Sequence, residues 1–98
     1  MTTVQNLIGT WRAIEGPFNP GEQVFYVFNT AGDLTITFRT KDGTQYVFLT
    51  YNLEGNTLIT NQPSAPKIEK SMVQTDGDTM IIDHQGVITR LKKESPNH

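Results

Sequence analysis

The feature that most limits the fold of this 98-residue chain is its punctuation. Turn signals fall at Gly32-Asp33, Asp42-Gly43, Gly55-Asn56, Pro63 to Pro66, Asp76-Gly77-Asp78 and Gln85-Gly86. They recur roughly every 9 to 12 residues, the spacing of short antiparallel strands in a sandwich or barrel. Between them lie β-branched and aromatic runs at 24–28, 34–40, 45–53, 57–61, 67–74 and 79–83. Adding 9–15 and 86–93 gives eight strand segments. Helical periodicity is not sustained over about 11 residues anywhere. The one helical candidate is a turn from Thr3 to Leu7, capped by Thr2 or Thr3. The expectation is an all-β fold in one domain spanning 1–98.

Alternation then assigns faces. Leu34, Ile36 and Phe38 alternate with Thr35, Thr37 and Arg39. Asp42-Gly43 reads as a two-residue hairpin turn, whose corners want positive φ. That turn sets Phe38 opposite Val47, Ile36 opposite Leu49 and Leu34 opposite Tyr51. Opposed residues share a face, so Val47, Leu49 and Tyr51 point inward while Tyr46 and Phe48 point outward. Gly55-Asn56 likewise pairs Leu53 with Leu58 and leaves Ile59 outside. Pairing of 24–28 with 34–40 puts Val24, Tyr26 and Phe28 inside, Phe25 and Val27 outside. The outer wall of the second to fifth segments thereby presents Phe25, Val27, Tyr46, Phe48 and Ile59, a candidate interface. For the last three segments alternation does not choose. Ile68, Met72, Ile81 and Ile88 make one consistent face; Val73, Met80, Ile82 and Leu91 make the other.

Composition excludes several functions. The net charge is −2, and the eight Lys and Arg residues are scattered. A nucleic-acid surface needs clustered cations that displace counterions, so no nucleic-acid partner is expected. With no cysteine, disulfides and thiolate chemistry are absent. No apolar stretch reaches transmembrane length, and residues 1–8 lack the charged start and apolar run of a signal peptide. No membrane insertion is expected, and the expected compartment is the cytoplasm, with a secreted mature form as the alternative. His84, beside Asp83, reads as a polar turn residue, and His98 as a tail residue. Two histidines without metal-site spacing do not make a zinc centre. No nucleophile elbow, phosphate loop or dinucleotide fingerprint occurs, so neither a cofactor nor an enzymatic activity is expected.

Gly9-Thr10-Trp11 opens the first segment just after the helical turn, and Arg90 sits on the last. With the eight-strand spacing, this pattern resembles the lipocalin and wider calycin barrels. There, Gly-X-Trp starts the first strand and an arginine of the last strand packs over the indole. The chain is shorter than typical lipocalins, and no C-terminal helix follows its last segment. The resemblance implies an eight-stranded antiparallel up-and-down barrel, with Gly9, Trp11 and Arg90 as structural residues at its closing seam. In that order the loops at 16–23, 41–43, 62–66 and 84–86 gather at one end, the expected mouth.

Two functions follow as expectations. One is a small apolar ligand held by Phe18, Tyr26, Leu49 and Tyr51 in the mouth. The other is a protein-interaction module, a homodimer or inhibitor-like barrel, on the outer wall defined above.

Overall fold

The computed structural model describes residues 3–94. A single helical turn, α1 (Val4–Leu7), precedes eight strands: β1 (Gly9–Glu15), β2 (Gln23–Phe28), β3 (Asp33–Thr40), β4 (Gly43–Glu54), β5 (Thr57–Asn61), β6 (Ile68–Asp76), β7 (Thr79–His84) and β8 (Val87–Lys93). Each strand pairs antiparallel with the next, and β8 returns to β1. The sheet closes into an up-and-down barrel. Closure leaves no strand edge free to template pairing with another chain. Among the described residues, no helix is long and apolar enough to cross a membrane.

Turn chemistry sets the register. Gln85 and Gly86 hold φ of 54° and 88°, the two positive values a type I′ hairpin needs, and so join His84 directly to Val87. The Asp83 carboxylate accepts the Gly86 N–H at 2.8 Å. Asp42-Gly43 behaves otherwise. Thr40 pairs with Gly43, so Lys41 and Asp42 form the corner. Gly43 uses its φ of 140° as the first residue of β4, and the Thr40 hydroxyl accepts the Asp42 N–H at 3.2 Å. The register therefore runs Phe38 to Gln45, Ile36 to Val47 and Leu34 to Leu49, two residues from the expected pairing. Side chains repeat direction every two residues, so the expected faces survive the slip. Leu53 pairs with Leu58 as expected.

The face left open in β6–β8 is resolved by burial. Val73, Met80, Ile82 and Leu91 are buried inside, whereas Ile68, Met72 and Ile88 are exposed. The packed interior concentrates around Trp11, Phe28, Leu7, Leu34, Met80 and Leu91, all essentially inaccessible. Thr3 caps α1; its N–H and hydroxyl both donate to the Asn6 Oδ1, each at 2.9 Å. Thr2 and His98 lie outside the described residues. The helical turn closes the barrel end below Trp11, whose Nε1 donates to the Leu7 carbonyl at 2.8 Å.

At the β1–β8 seam the expected partner of the indole is corrected. Arg90 does not reach Trp11. It pairs with Glu15 across a bulge between Ala13 and Glu15, and its Nε lies 3.4 Å from Glu15 Oε1 on the outer wall. Lys93 is the residue opposite Trp11, and its Nζ stands 5.4 Å from the ring centroid. Parity explains the exchange. Leu91 and Lys93 point inward with Trp11, and an even-numbered β8 residue points out.

Candidate functional site: the barrel lumen

Away from the packed end, the side chains no longer fill the barrel. A cavity of about 440 Å³ lies between β2 and β8. Its apolar wall is Tyr26, Leu34, Ile36, Leu49, Leu58 and Ile82. These come from four hairpin-linked strands and β7, all at inward positions of their ladders. Pro17 of the long first loop and Val87 of the last hairpin stand at the opening, and both are exposed. The mouth is thus the end where the longest loop and the β7–β8 turn meet. A larger hollow of about 560 Å³ lies at the other end, lined by Asn6, Asn56, Gln74 and the Thr75–Gly77 turn. Its lining is mainly polar, with Ile81 its one large apolar side chain, so the lumen comes nearer to the predominantly apolar character of ligand sites.

One side of the lumen is polar. Glu69 and Ser71 alternate inward on β6, and His84 is the last residue of β7. Ser71 Oγ lies 3.0 Å from His84 Nδ1, and His84 Nε2 lies 3.4 Å from Glu69 Oε2. The imidazole is thus flanked at Nδ1 by the Ser71 hydroxyl and at Nε2 by the Glu69 carboxylate. Lys67 Nζ approaches the other oxygen, Oε1, at 3.1 Å from the exposed rim. Thr60 and Thr89 add hydroxyls to the same lining.

Hydroxyl, imidazole and carboxylate are ordered here as in a nucleophilic triad. Acyl transfer also needs N–H donors converging on a developing oxyanion. Ser71 pairs with Leu58 of β5, and the β6–β7 ladder begins one residue further on, at Met72. The row offers a carboxylate, a hydroxyl and an imidazole to a polar group in the lumen. Among the described residues, no three His, Cys, Asp or Glu side chains converge to hold a metal ion.

The structure brings together two of the four residues expected to bind ligand. Tyr26 and Leu49 line the lumen, and burial pushes the Tyr26 phenol above its ordinary pKa. Tyr51 is committed elsewhere. Its hydroxyl donates to the Asn29 carbonyl at 2.7 Å, and its ring packs edge-on against Phe28 with centroids 5.1 Å apart. It braces the packed end. Burial, and then the Asp33 carboxylate, raise its phenol. Phe18 packs against the core beside Gly16 and Thr89, while its neighbour Pro17 takes the position on the lumen. Phe18 is a plug over the core, not a lining residue.

The expected outer-wall residues share one face. Tyr46 and Phe48 are 57% and 64% exposed, with rings stacked at 6.1 Å and 14°. Phe25 lies half-buried under Arg39, whose guanidinium carbon is 5.6 Å from the ring centroid. Val27 and Ile59 are also half-buried.

Sequence reasoning weighs His84 as a general base or metal ligand at the mouth and favours a polar turn residue; it does not assign Glu69 and Ser71 to the lumen. The signal available was the i, i+2 spacing of Glu69 and Ser71 on one face of β6, which needs the facing of β6 to be known. The chain matches no protein-family model and no curated protein.

Proposed function

We propose that this chain is a non-enzymatic, lipocalin-like barrel that holds one small apolar ligand in its lumen. The observation that carries this reading is the apolar cavity of about 440 Å³. It exceeds the roughly 300 Å³ at which ligand pockets begin, in a barrel small enough for side chains to have filled it. Calorimetric titration of the folded protein with octan-1-ol tests it, with saturable binding of one molecule per chain as the expected result. Leu49→Trp, which puts an indole into the cavity, abolishes that binding while far-UV dichroism keeps its strand signal. An unchanged affinity in Leu49→Trp contradicts lumen binding.

A second reading, an interaction module on the outer wall, is favoured by the stacked and exposed Tyr46–Phe48 pair. Its test is the association state of Phe48→Ser, whose expected outcome is given in the Discussion.

A further inference from the structure

The cavity's apolar wall fixes the body of a ligand; its polar side fixes the head. Resting on the lumen-binding reading, we infer that the ligand is an apolar amine, held by its ammonium group against Glu69 and Ser71. Among the described residues, Glu69 is the one carboxylate in the lining, and no lysine or arginine lines the cavity with it. A ligand carboxylate entering this lumen would meet a like charge in a partly desolvated space, where repulsion is strongest. An ammonium meets an acceptor for each of its three donors among the Glu69 oxygens, Ser71 Oγ and the Thr60 hydroxyl. His84 positions the site. Its Nδ1 meets the Ser71 hydroxyl at 3.0 Å and its Nε2 faces Glu69 Oε2 at 3.4 Å, so it orients both groups.

Lys67 is the ligand's competitor. It reaches Glu69 Oε1 from the rim with its own side chain 76% exposed. Exposed pairs of this kind are held weakly, so a ligand ammonium inside the lumen displaces Lys67 from that oxygen at little cost. The Lys67 side chain occupies one Glu69 oxygen from the solvent side until the ligand arrives.

The test is a matched series at pH 7: octylamine, octan-1-ol and octanoate, each titrated calorimetrically into the whole chain. Octylamine is expected to bind about tenfold or more tighter than octan-1-ol, and octanoate weakest. In Glu69→Gln the advantage of the amine over the alcohol disappears, while far-UV dichroism keeps its strand signal. In Lys67→Gln octylamine affinity rises and octan-1-ol affinity does not. Equal affinities for all three ligands, or tighter octanoate, would overturn the inference and leave the lumen-binding reading standing. An amine preference that persists in Glu69→Gln would overturn it as well. Binding of none of the three would remove both.

Discussion

At Gly9 the backbone holds φ near 130°, and an added Cβ would sit 3.0 Å from Lys93 Cε. The glycine is therefore favoured by its own conformation, and an added Cβ would also crowd the lysine that crosses it to reach the indole. Trp11 sits beneath, fully buried and tied to Leu7. The seam thus consists of Gly9, Trp11 and Lys93, where the resemblance to lipocalins implied Gly9, Trp11 and Arg90. The two cations have different energetic standing. Lys93 lies over a buried ring, an arrangement worth ~0.5–2 kcal/mol, and its methylenes cover that ring as well. Arg90 pairs with Glu15 at 47% and 72% side-chain exposure, where ion pairs contribute about 0–1 kcal/mol. Denaturant unfolding is expected to show Lys93→Ala losing ~1–2 kcal/mol and Arg90→Ala losing under ~0.5 kcal/mol. The reverse order would mean that the indole is capped from the other residue. The exchange was not legible because no turn joins β1 to β8, so nothing local in the sequence sets the register that puts Lys93 opposite Trp11. Between Ala13 and Glu15 the register shifts, and no residue type at Ile14 announces it.

Among the strands, legibility followed contrast between faces. In β3, Leu34, Ile36 and Phe38 alternate with Thr35, Thr37 and Arg39, so one face is plainly apolar and its neighbours inherit the assignment through the hairpins. The Asp42-Gly43 turn was misplaced, and a two-residue slip left the faces intact. β6–β8 offer no such contrast, since Met72 and Val73, or Ile81 and Ile82, are equally apolar. The polar row of Glu69, Ser71 and His84 depends on that unresolved facing, which is why the lumen's apolar wall could be partly anticipated and its polar side could not. The same ambiguity leaves apolar side chains outside on β6 and β8, with Ile68 at 67% exposure. On the β2–β5 wall the pair Tyr46–Phe48 is the concentrated apolar feature. If that wall is an interface, light scattering should find the wild-type chain associated and Phe48→Ser shifted to monomer by about tenfold or more in dissociation constant. Wild type and variant both monomeric would remove the interface reading and leave the lumen untouched.

For the whole molecule, the barrel divides into a packed end and an end that holds the lumen. Trp11, Phe28, Tyr51, Met80 and Leu91 hold the barrel closed, so the lumen beyond them is supported by a rigid base. Stability should carry a mark of the phenols placed in this interior. Burial raises Tyr26, and burial together with Asp33 raises Tyr51. A phenol with a raised folded-state pKa is neutral in the fold at pH values where the unfolded chain already ionises. Its contribution is complete below the ordinary value of about 10 and is lost as pH rises through the folded-state value. Unfolding free energy is therefore expected to be flat with respect to these groups up to about pH 9 and to fall above about pH 10. In Tyr26→Phe the fall should be shallower. An alkaline slope identical to wild type would show that Tyr26 is not held away from water.

The lumen is where the central claim stands or falls, and inward and outward isoleucines give it an internal control. Ile36 and Ile82 face the cavity, while Ile68 and Ile88 are exposed on the outer wall. Methyl NMR of the chain labelled at isoleucine and leucine, titrated with octan-1-ol, reads both sets in one experiment. The expected result is saturable shifts at Ile36, Ile82, Leu49 and Leu58 with one common dissociation constant, and none at Ile68 or Ile88. Shifts confined to Ile68 and Ile88, or no saturable shift at the inward methyls, would contradict a ligand-binding lumen.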